Sequence, residues 1–298
     1  MYADPAGNAT PEASPSSSTV PQMDQSVVHK VHMAINLVHR LVYFVPEAGE
    51  EYAALGVQGA GGYFASRSAP MGAVTDHVVL ATFYNFSPLA VLSAMPGVWT
   101  AASPEAWQAA RFRVVERALN RVAVDLAAEQ IAEARSEIDP VVAGLIVGGK
   151  PLAAGNVEVA LPDDPLVALW QQLTVVREWR GDAHIAALVN SEIGPCECLV
   201  MQVGTGRFPL RLAQATRRWN ETEWAAAVGS LAERGWAESD GTITPAGLAE
   251  RDRVEAETDR LCAPIWEPIG DAGAERFAEL IMPIHTAMDA AGTYGALA

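Results

Sequence analysis

Residues 177–184 are the densest group of ionisable side chains that stands in an otherwise apolar part of the sequence. An aspartate near a histidine can orient the imidazole and leave its second nitrogen as a general base. We therefore predict that His184, Asp182 and Glu178 carry any proton transfer. The structural alternative is that Asp182 caps a helix and that Glu178 forms ion pairs with Arg177 or Arg180.

A second candidate site lies in two aromatic segments nearer the N-terminus, which contain Tyr63, Arg67, Tyr84 and Asn85. A few polar groups among aromatic side chains suit a mostly apolar pocket that orients a small ligand. An arginine can hold a carboxylate through two parallel hydrogen bonds. We predict that these four residues and Arg180 bind a ligand. The alternative is a buried arginine, satisfied by backbone carbonyls, within an ordinary aromatic core.

Two further residues extend the predicted ligand-binding set. His39 could add a histidine to the same cavity, and Trp179 offers a face on which a planar ligand could stack. A haem or metal site could instead use His39 with His184. Cys196 and Cys198 are a weak metal signal because a zinc site needs a second pair of ligands at suitable spacing. No metal site is therefore predicted, and the sequence requires no cofactor.

The net charge of −16 bears most directly on the class of partner. DNA-binding proteins draw sequence-independent affinity from Lys and Arg side chains that neutralise phosphates. An acidic chain repels that polyanion unless one face is locally basic. The sequence has only two lysines and no basic run. We therefore expect a small-molecule ligand and no nucleic acid as the partner.

Composition also indicates the class of protein and its cellular compartment. Half of the residues are apolar and 19% are charged, which is typical of a well-buried globular chain. Apolar runs fall short of the roughly 20 residues that a membrane span needs. Residues 1–22 lack the basic start and apolar core of a signal peptide and are predicted to be a disordered tail. Three cysteines form no even-numbered disulfide framework, which favours a reducing cytoplasm.

Local signals predict where several helices begin and end. Three residues that precede a proline, Ser87, Ser103 and Asp164, are predicted N-caps because proline suits the first helical position. Gly181 is predicted to end the helix that Asp164 caps, and Asp182 to cap the next one. On a continuous helix, by contrast, two faces would form. One would carry Arg177, Arg180 and His184, and the other Glu178 and Asp182.

The order of elements near the C-terminus is that of a winged helix. A helix predicted over residues 221–234 is followed by Asp240-Gly241, a dipeptide typical of a type I′ hairpin, and by a long helix from Pro245. The predicted fold class is therefore mainly α. A helical domain occupies residues 23–160, and a winged helix with a small β-hairpin wing occupies residues 161–298.

The segment LAERGWAESDGTITPAGLAERD, residues 231–252, resembles the MarR-type regulators, which implies the winged-helix fold. A recognition helix reads the major groove with Arg, Lys, Asn or Gln. The outward positions of residues 223–234 are Ala, Gly, Ser and Glu, and the only cation is Arg234 at the far end. We therefore expect no DNA binding. The alternative function is a MarR-like, ligand-responsive transcription regulator.

A longer resemblance covers residues 39–280. HRLVYFVPEA, GYFASRSAPMG, ATFYNFSP and LWQQLTVVREWRGDAHIAALV resemble a large actinobacterial family of helix-turn-helix-like proteins to which no reaction is assigned. In that family's pattern a histidine stands at the position of Trp179 and a glycine at that of Ala183. The resemblance implies that any role of a histidine pair is lost here, and that the chain is a specialised member.

The leading hypothesis is therefore a small-molecule-binding protein on a repurposed winged-helix scaffold. Its sharper form is an enzyme of specialised, or secondary, metabolism that uses general acid and base chemistry. Residues 274–288 carry an apolar stripe that could pair two copies as a homodimer.

Overall fold

A computed structural model describes residues 23–122, 124, 126–206 and 208–295, so the tail predicted over residues 1–22 lies outside the described residues. The described chain is mainly α-helical. In chain order its α-helices are α1 (Gln25–His39), α2 (Pro46–Ala54), α3 (Ala60–Ser68), α4 (Asp76–Thr82), α5 (Pro88–Leu92), α6 (Val98–Ala101), α7 (Pro104–Arg121), α8 (Ala128–Ala143), α9 (Pro151–Val157), α10 (Pro165–Asn190), α11 (Pro195–Gly204), α12 (Leu210–Arg217), α13 (Glu221–Glu233), α14 (Pro245–Cys262) and α15 (Gly270–Ala290).

The predicted helix N-caps are confirmed. The side chains of Ser87, Ser103 and Asp164 accept hydrogen bonds from backbone N–H groups in the first turns of α5, α7 and α10. Each bond satisfies a donor that has no partner within the helix. The starts of these helices are therefore fixed by local sequence.

Helix α10 runs unbroken for 26 residues, so the predicted break at Gly181 is wrong. Glycine in a helix interior costs roughly 1 kcal/mol relative to alanine. Packing of α10 against α1, α8, α9 and α14 outweighs that cost. Asp182 therefore does not begin a second helix. Its carboxylate caps α9 instead, by accepting hydrogen bonds from the backbone N–H groups of Leu152 and Ala153 at 3.1 and 3.0 Å.

The larger hydrophobic core contains residues from both sides of the predicted domain boundary at residue 160. In it α1 packs along α15, and the apolar side of α15, including Phe277 and Ile284, is buried there. The stripe predicted to pair two copies is thus largely used within the chain. Homodimerisation stays a prediction.

A smaller core joins the end of α10 to α11, α13 and α14 through buried side chains such as Leu188, Val200, Leu231 and Val254. This second cluster is the structural unit that contains the predicted recognition helix. None of the described helices combines the length and apolar character needed to cross a bilayer.

The predicted β-hairpin wing does not form in the described residues. A single antiparallel bridge joins Ala237 to Ile243, and no strand extends from it. A type I′ turn needs positive φ at both central residues. Here Gly241 has φ 88°, whereas Asp240 is not left-handed and accepts a hydrogen bond from a nearby backbone N–H. Because Thr244 already caps α14, the returning segment is too short for a strand.

Candidate functional site

A cavity of about 710 Å³ lies between the two cores. Its volume falls within the range of small-molecule sites in proteins, roughly 300–1,000 Å³. Side chains of α3, the segment of residues 82–86, α10, α12 and α14 form its wall. Both the larger core and the helix-turn-helix part of the chain therefore contribute to the wall of this cavity.

One side of the cavity is aromatic. Ring centroids lie 4.9 Å apart for Phe64 and Phe86, and 5.6 Å apart for Tyr63 and Phe86, in tilted or edge-to-face arrangements. Such contacts stabilise aromatic clusters beyond simple burial of area. They leave a rigid apolar surface beside the polar groups. The aromatic side chains that line the cavity are Tyr43, Phe44, Tyr63, Phe64, Phe83, Tyr84, Phe86 and Phe208.

One face of α10 forms a polar side of the cavity. Arg177, Arg180 and His184 line the cavity, at the three- and four-residue spacing that places side chains on one helix face. Glu178 and Asp182 are buried and are not part of the lining. The sequence predicts these two sets of side chains to lie on different faces if the helix is continuous. The charged cluster seen in the sequence is thus split between a cavity wall and a buried framework.

Glu178 is 1% exposed and lies between two arginines. Arg67 donates to both of its carboxylate oxygens, from Nε at 2.9 Å and from Nη2 at 2.7 Å, and Arg177 donates at 2.8 Å. Burial alone would raise the pKa of Glu178, but the charges of Arg177 and Arg67 hold it well below its usual range. Glu178 is therefore a permanent anion rather than a proton carrier. The Arg67 donors predicted to hold a ligand carboxylate are taken by Glu178.

His184 is oriented by a threonine. Its Nδ1 lies 2.9 Å from Oγ1 of Thr258, whose hydroxyl donates to the Val254 carbonyl at 2.8 Å. A hydroxyl has one proton, so Thr258 accepts from Nδ1–H, and Nε2 is left as an acceptor. Burial lowers the pKa of His184, which keeps the ring neutral near pH 7. The site thus offers a neutral imidazole base.

The prediction that Asp182 orients His184 is wrong. Residues two apart on a helix point in different directions, and the Asp182 carboxylate is used to cap α9. Burial raises the pKa of Asp182 to about 6. Asp182 is therefore a structural acid that can change its charge near neutral pH.

Arg180 connects α10 to α14 across the cavity floor. Its Nη2 lies 2.8 Å from Glu255 and 3.0 Å from Asp259. Arg251 also lies 3.4 Å from Glu255. These arginines are held by carboxylates of the protein itself, so their charges are largely balanced.

Tyr43 lines the cavity although sequence analysis did not select it as a site residue. Nη2 of Arg111 donates to its hydroxyl at 3.4 Å, and the Arg177 guanidinium lies 5.7 Å from the ring centroid. Burial would raise the pKa of Tyr43, but Arg67, Arg177 and Arg111 together bring it below its ordinary value of 10. No local signal could have found this residue, because the arginines come from α3, α7 and α10.

Of the other predicted site residues, Tyr63, Tyr84 and Asn85 line the cavity, whereas His39 and Trp179 do not. The Tyr63 hydroxyl accepts from Arg67 at 2.9 Å, and that of Tyr84 donates to a backbone carbonyl at 2.7 Å. Trp179 lies outside the lining, and its indole N–H donates to the carbonyl of a loop residue at 3.2 Å.

The haem or metal hypothesis needed His39 and His184 at one site. His39 is fully buried and stacks on Trp170, with ring centroids 4.9 Å apart and planes 9° apart. It therefore packs within the larger core, whereas His184 faces the cavity. Within the described ranges, no group of three or more His, Cys, Asp or Glu side chains is placed to hold a metal ion.

Comparison with known proteins shows the family of the chain. The sequence model of a family described as a helix-turn-helix family matches residues 28–295. The chain belongs to this helix-turn-helix family. No curated protein and no solved structure matches it. The matched range includes every residue that lines the cavity.

In this helix-turn-helix protein, α13 occupies the position of the predicted recognition helix. Its first turn carries Glu221 and Glu223, and its last turn has no basic residue. Arg234, which follows it, lies 2.6 Å from Glu197 and packs over the ring of Trp236 at 4.5 Å. The cation nearest to this helix end is therefore already paired within the protein.

Proposed function

We propose that this helix-turn-helix protein binds a small anionic molecule with a planar apolar body in the cavity between its two cores. The observation that carries the proposal is the charge of the cavity wall. In a chain of net charge −16, six arginines line the cavity with a single acidic residue among the lining side chains, Glu255. The arginines are Arg67, Arg177, Arg180, Arg217, Arg218 and Arg251.

Ion pairs do not balance this charge. Four carboxylates contact the six arginines, and none of the four contacts Arg217 or Arg218 within the described residues. Arg218 is exposed to water, whereas Arg217 is partly buried. Positive charge removed from water is costly unless an opposite charge accompanies it. An anionic ligand supplies that charge, and the aromatic side of the cavity accommodates its apolar body.

The charges on α13 also favour a helix-turn-helix scaffold that is not used to bind DNA. The exposed face of α13 consists of small and acidic residues, with Ala225, Ala226 and Gly229 exposed behind Glu221. Such a face offers neither phosphate contacts nor side chains that read bases in the major groove. Asp240, at the turn of the predicted wing, adds a further negative charge.

The geometry also suits chemistry on the bound molecule. Nε2 of His184 is an unprotonated acceptor on the cavity wall, and the Tyr43 phenol sits among three cations. Nε2 of His184, or the phenolate of Tyr43 once that residue has ionised, could remove a proton from a bound molecule, as general base catalysis requires. We propose this as the enzymatic form of the function.

The binding proposal is tested with matched pairs of aromatic compounds. Benzoate and naphthoate, compared with benzamide and naphthamide, differ in charge but little in shape. We expect the carboxylates to raise the midpoint of thermal unfolding and the carboxamides to leave it nearly unchanged, because only the carboxylates compensate the arginines. Equal shifts for acid and amide, or no shift for either, would contradict the proposal.

A gel-shift experiment addresses the regulator alternative. At low salt, where electrostatic binding to DNA is strongest, we expect no shift of the DNA upstream of the protein's own coding sequence. A retained, sequence-dependent shift would favour a ligand-responsive regulator of transcription instead.

A further inference from the structure

Helix α12 brings to the cavity an arginine whose hydrogen-bonding capacity is largely unused. Nη1 of Arg217 donates to its neighbour Thr216 at 2.8 Å. Its Nε is buried without a hydrogen-bond partner, and no hydrogen bond involves its Nη2 within the described residues. Nε and Nη2 are the two atoms through which Arg67 holds the carboxylate of Glu178. Arg217 thus has the same pair of donors available.

Aromatic contacts hold the Arg217 side chain in place. Its guanidinium carbon lies 4.5 Å from the ring centroid of Phe86 and 5.0 Å from that of Phe208. Cation–π contacts of this kind stabilise a guanidinium without using its N–H groups. The side chain is therefore ordered before any ligand arrives, and this ordering reduces the entropic cost of binding.

The backbone at this point is held in a rare conformation. Arg218 caps α12 with φ 57° and ψ 31°, a left-handed geometry that glycine usually supplies at helix ends. Two hydrogen bonds from Ser87 stabilise it. Ser87 N–H donates to the Arg217 carbonyl and Ser87 Oγ–H to the Arg218 carbonyl, both at 2.9 Å. Strain kept by such contacts is typical of functional sites.

The surroundings of Arg217 also disfavour its charge in the absence of an anion. Burial, and then the nearby charges of Arg67 and Arg177, lower the pKa of Arg217. Both neighbours are already paired with Glu178. An anion beside Arg217 would compensate its positive charge, as Glu178 already does for Arg67 and Arg177.

We infer that Arg217 is the residue that binds the anionic group of the molecule, and that this group is a planar carboxylate held by Nε and Nη2 beside the rings of Phe86 and Phe208. This inference rests on the proposed function. It adds the ligand class and the anchoring residue. It also means that the ligand contacts the end of α12, so an occupied site fixes the helix-turn-helix part against the larger core.

The test uses the full chain and calorimetric titration with naphthoate. Arg217→Gln is expected to weaken naphthoate binding by roughly 10- to 100-fold, because two charge-assisted hydrogen bonds are lost. The matched control is Arg211→Gln, an equal change of charge on an exposed residue of the same helix that does not line the cavity. It is expected to bind naphthoate as the wild type does.

The outcomes separate the two proposals. Wild-type affinity in Arg217→Gln would overturn the assignment of Arg217 and leave the proposed function intact. No naphthoate or benzoate binding by the wild type would overturn both. If Arg217→Gln does not fold, Arg217→Lys provides the test, because lysine keeps the charge but cannot present two parallel donors. Unchanged affinity in that variant would also overturn the assignment.

Discussion

At the scale of single residues, Tyr43 has the most unusual surroundings. Three arginines approach a phenol that faces the cavity, and Glu178 is the carboxylate that pairs with two of them. One of the three, Arg111, is 2% exposed and forms no ion pair in the described part of the chain. A phenolate at Tyr43 would be stabilised by all three charges.

We predict that Tyr43 ionises below the ordinary tyrosine pKa of 10. The folded chain then loses this proton before the unfolded chain does. The free energy of unfolding should therefore rise as the pH increases from the folded pKa towards 10. Ultraviolet absorbance of phenolate during a pH titration measures the ionisation, and Tyr43→Phe should remove the earliest tyrosine step. Tyr84→Phe, at a site where burial raises the pKa, should keep it. Retention of the step in Tyr43→Phe would contradict the assignment.

Asp182 gives a second prediction at this scale. Because burial raises the pKa of Asp182 to about 6 from an ordinary value of 3.8, the folded chain binds more protons than the unfolded chain in this interval. The free energy of unfolding should therefore fall as the pH rises from about 4 to about 6. Asp182→Asn still caps α9 but cannot ionise, so it should remove this decrease and gain roughly 1–2 kcal/mol at neutral pH. Asp182→Ala should also remove the decrease, but it lacks the cap and should be roughly 1 kcal/mol less stable than Asp182→Asn. Urea unfolding at several pH values measures both, and an unchanged pH dependence in Asp182→Asn would contradict the prediction.

Which site residues could be predicted from the sequence depends on where their partners lie. Arg180 and His184 were predicted because they belong to one dense local cluster. Tyr43 and Arg217 were not, because their environments are assembled from helices far apart in the chain. His39 and Trp179 were assigned to the ligand on residue type alone, and the fold turns both away from the cavity.

At the scale of elements, α10 shows how packing overrides a local signal. Proline and N-cap signals correctly predicted where helices begin, because capping is a contact between neighbours in sequence. Gly181 was predicted to end α10, yet contacts with several other helices keep it continuous. The wing was predicted from Asp240-Gly241, but the early start of α14 left no length for a strand.

Substitution of glycines tests this account of the elements. A Cβ on Gly181 would meet only Glu178 Oε2, at 3.6 Å, which is ordinary contact. We expect Gly181→Ala to raise the free energy of unfolding by roughly 0.5–1 kcal/mol, since alanine loses less backbone entropy in a helix. Gly247→Ala is the contrasting variant, because its Cβ would lie 2.1 Å from the Trp236 carbonyl oxygen. It should be strongly destabilising in urea unfolding. Destabilisation by Gly181→Ala would show that α10 requires glycine for another reason.

At the scale of the whole molecule, the uneven distribution of charge is the main functional signal. The net negative charge of the sequence argues against nucleic acid as the partner. The predicted recognition helix supports this argument, because its exposed side chains include acidic residues. The sequence could not show that arginines converge on one cavity, because they come from α3, α10, α12 and α14. The family match identifies the chain as a helix-turn-helix protein. The arginines that line the cavity are the basis of the proposed anionic ligand.

The most direct test of the central claim is a crystal structure of the protein soaked with naphthoate. Our account predicts the naphthalene rings against the aromatic wall of the cavity and the carboxylate within hydrogen-bonding distance of Arg217 Nη2. An empty cavity in crystals that hold naphthoate at another place would contradict it.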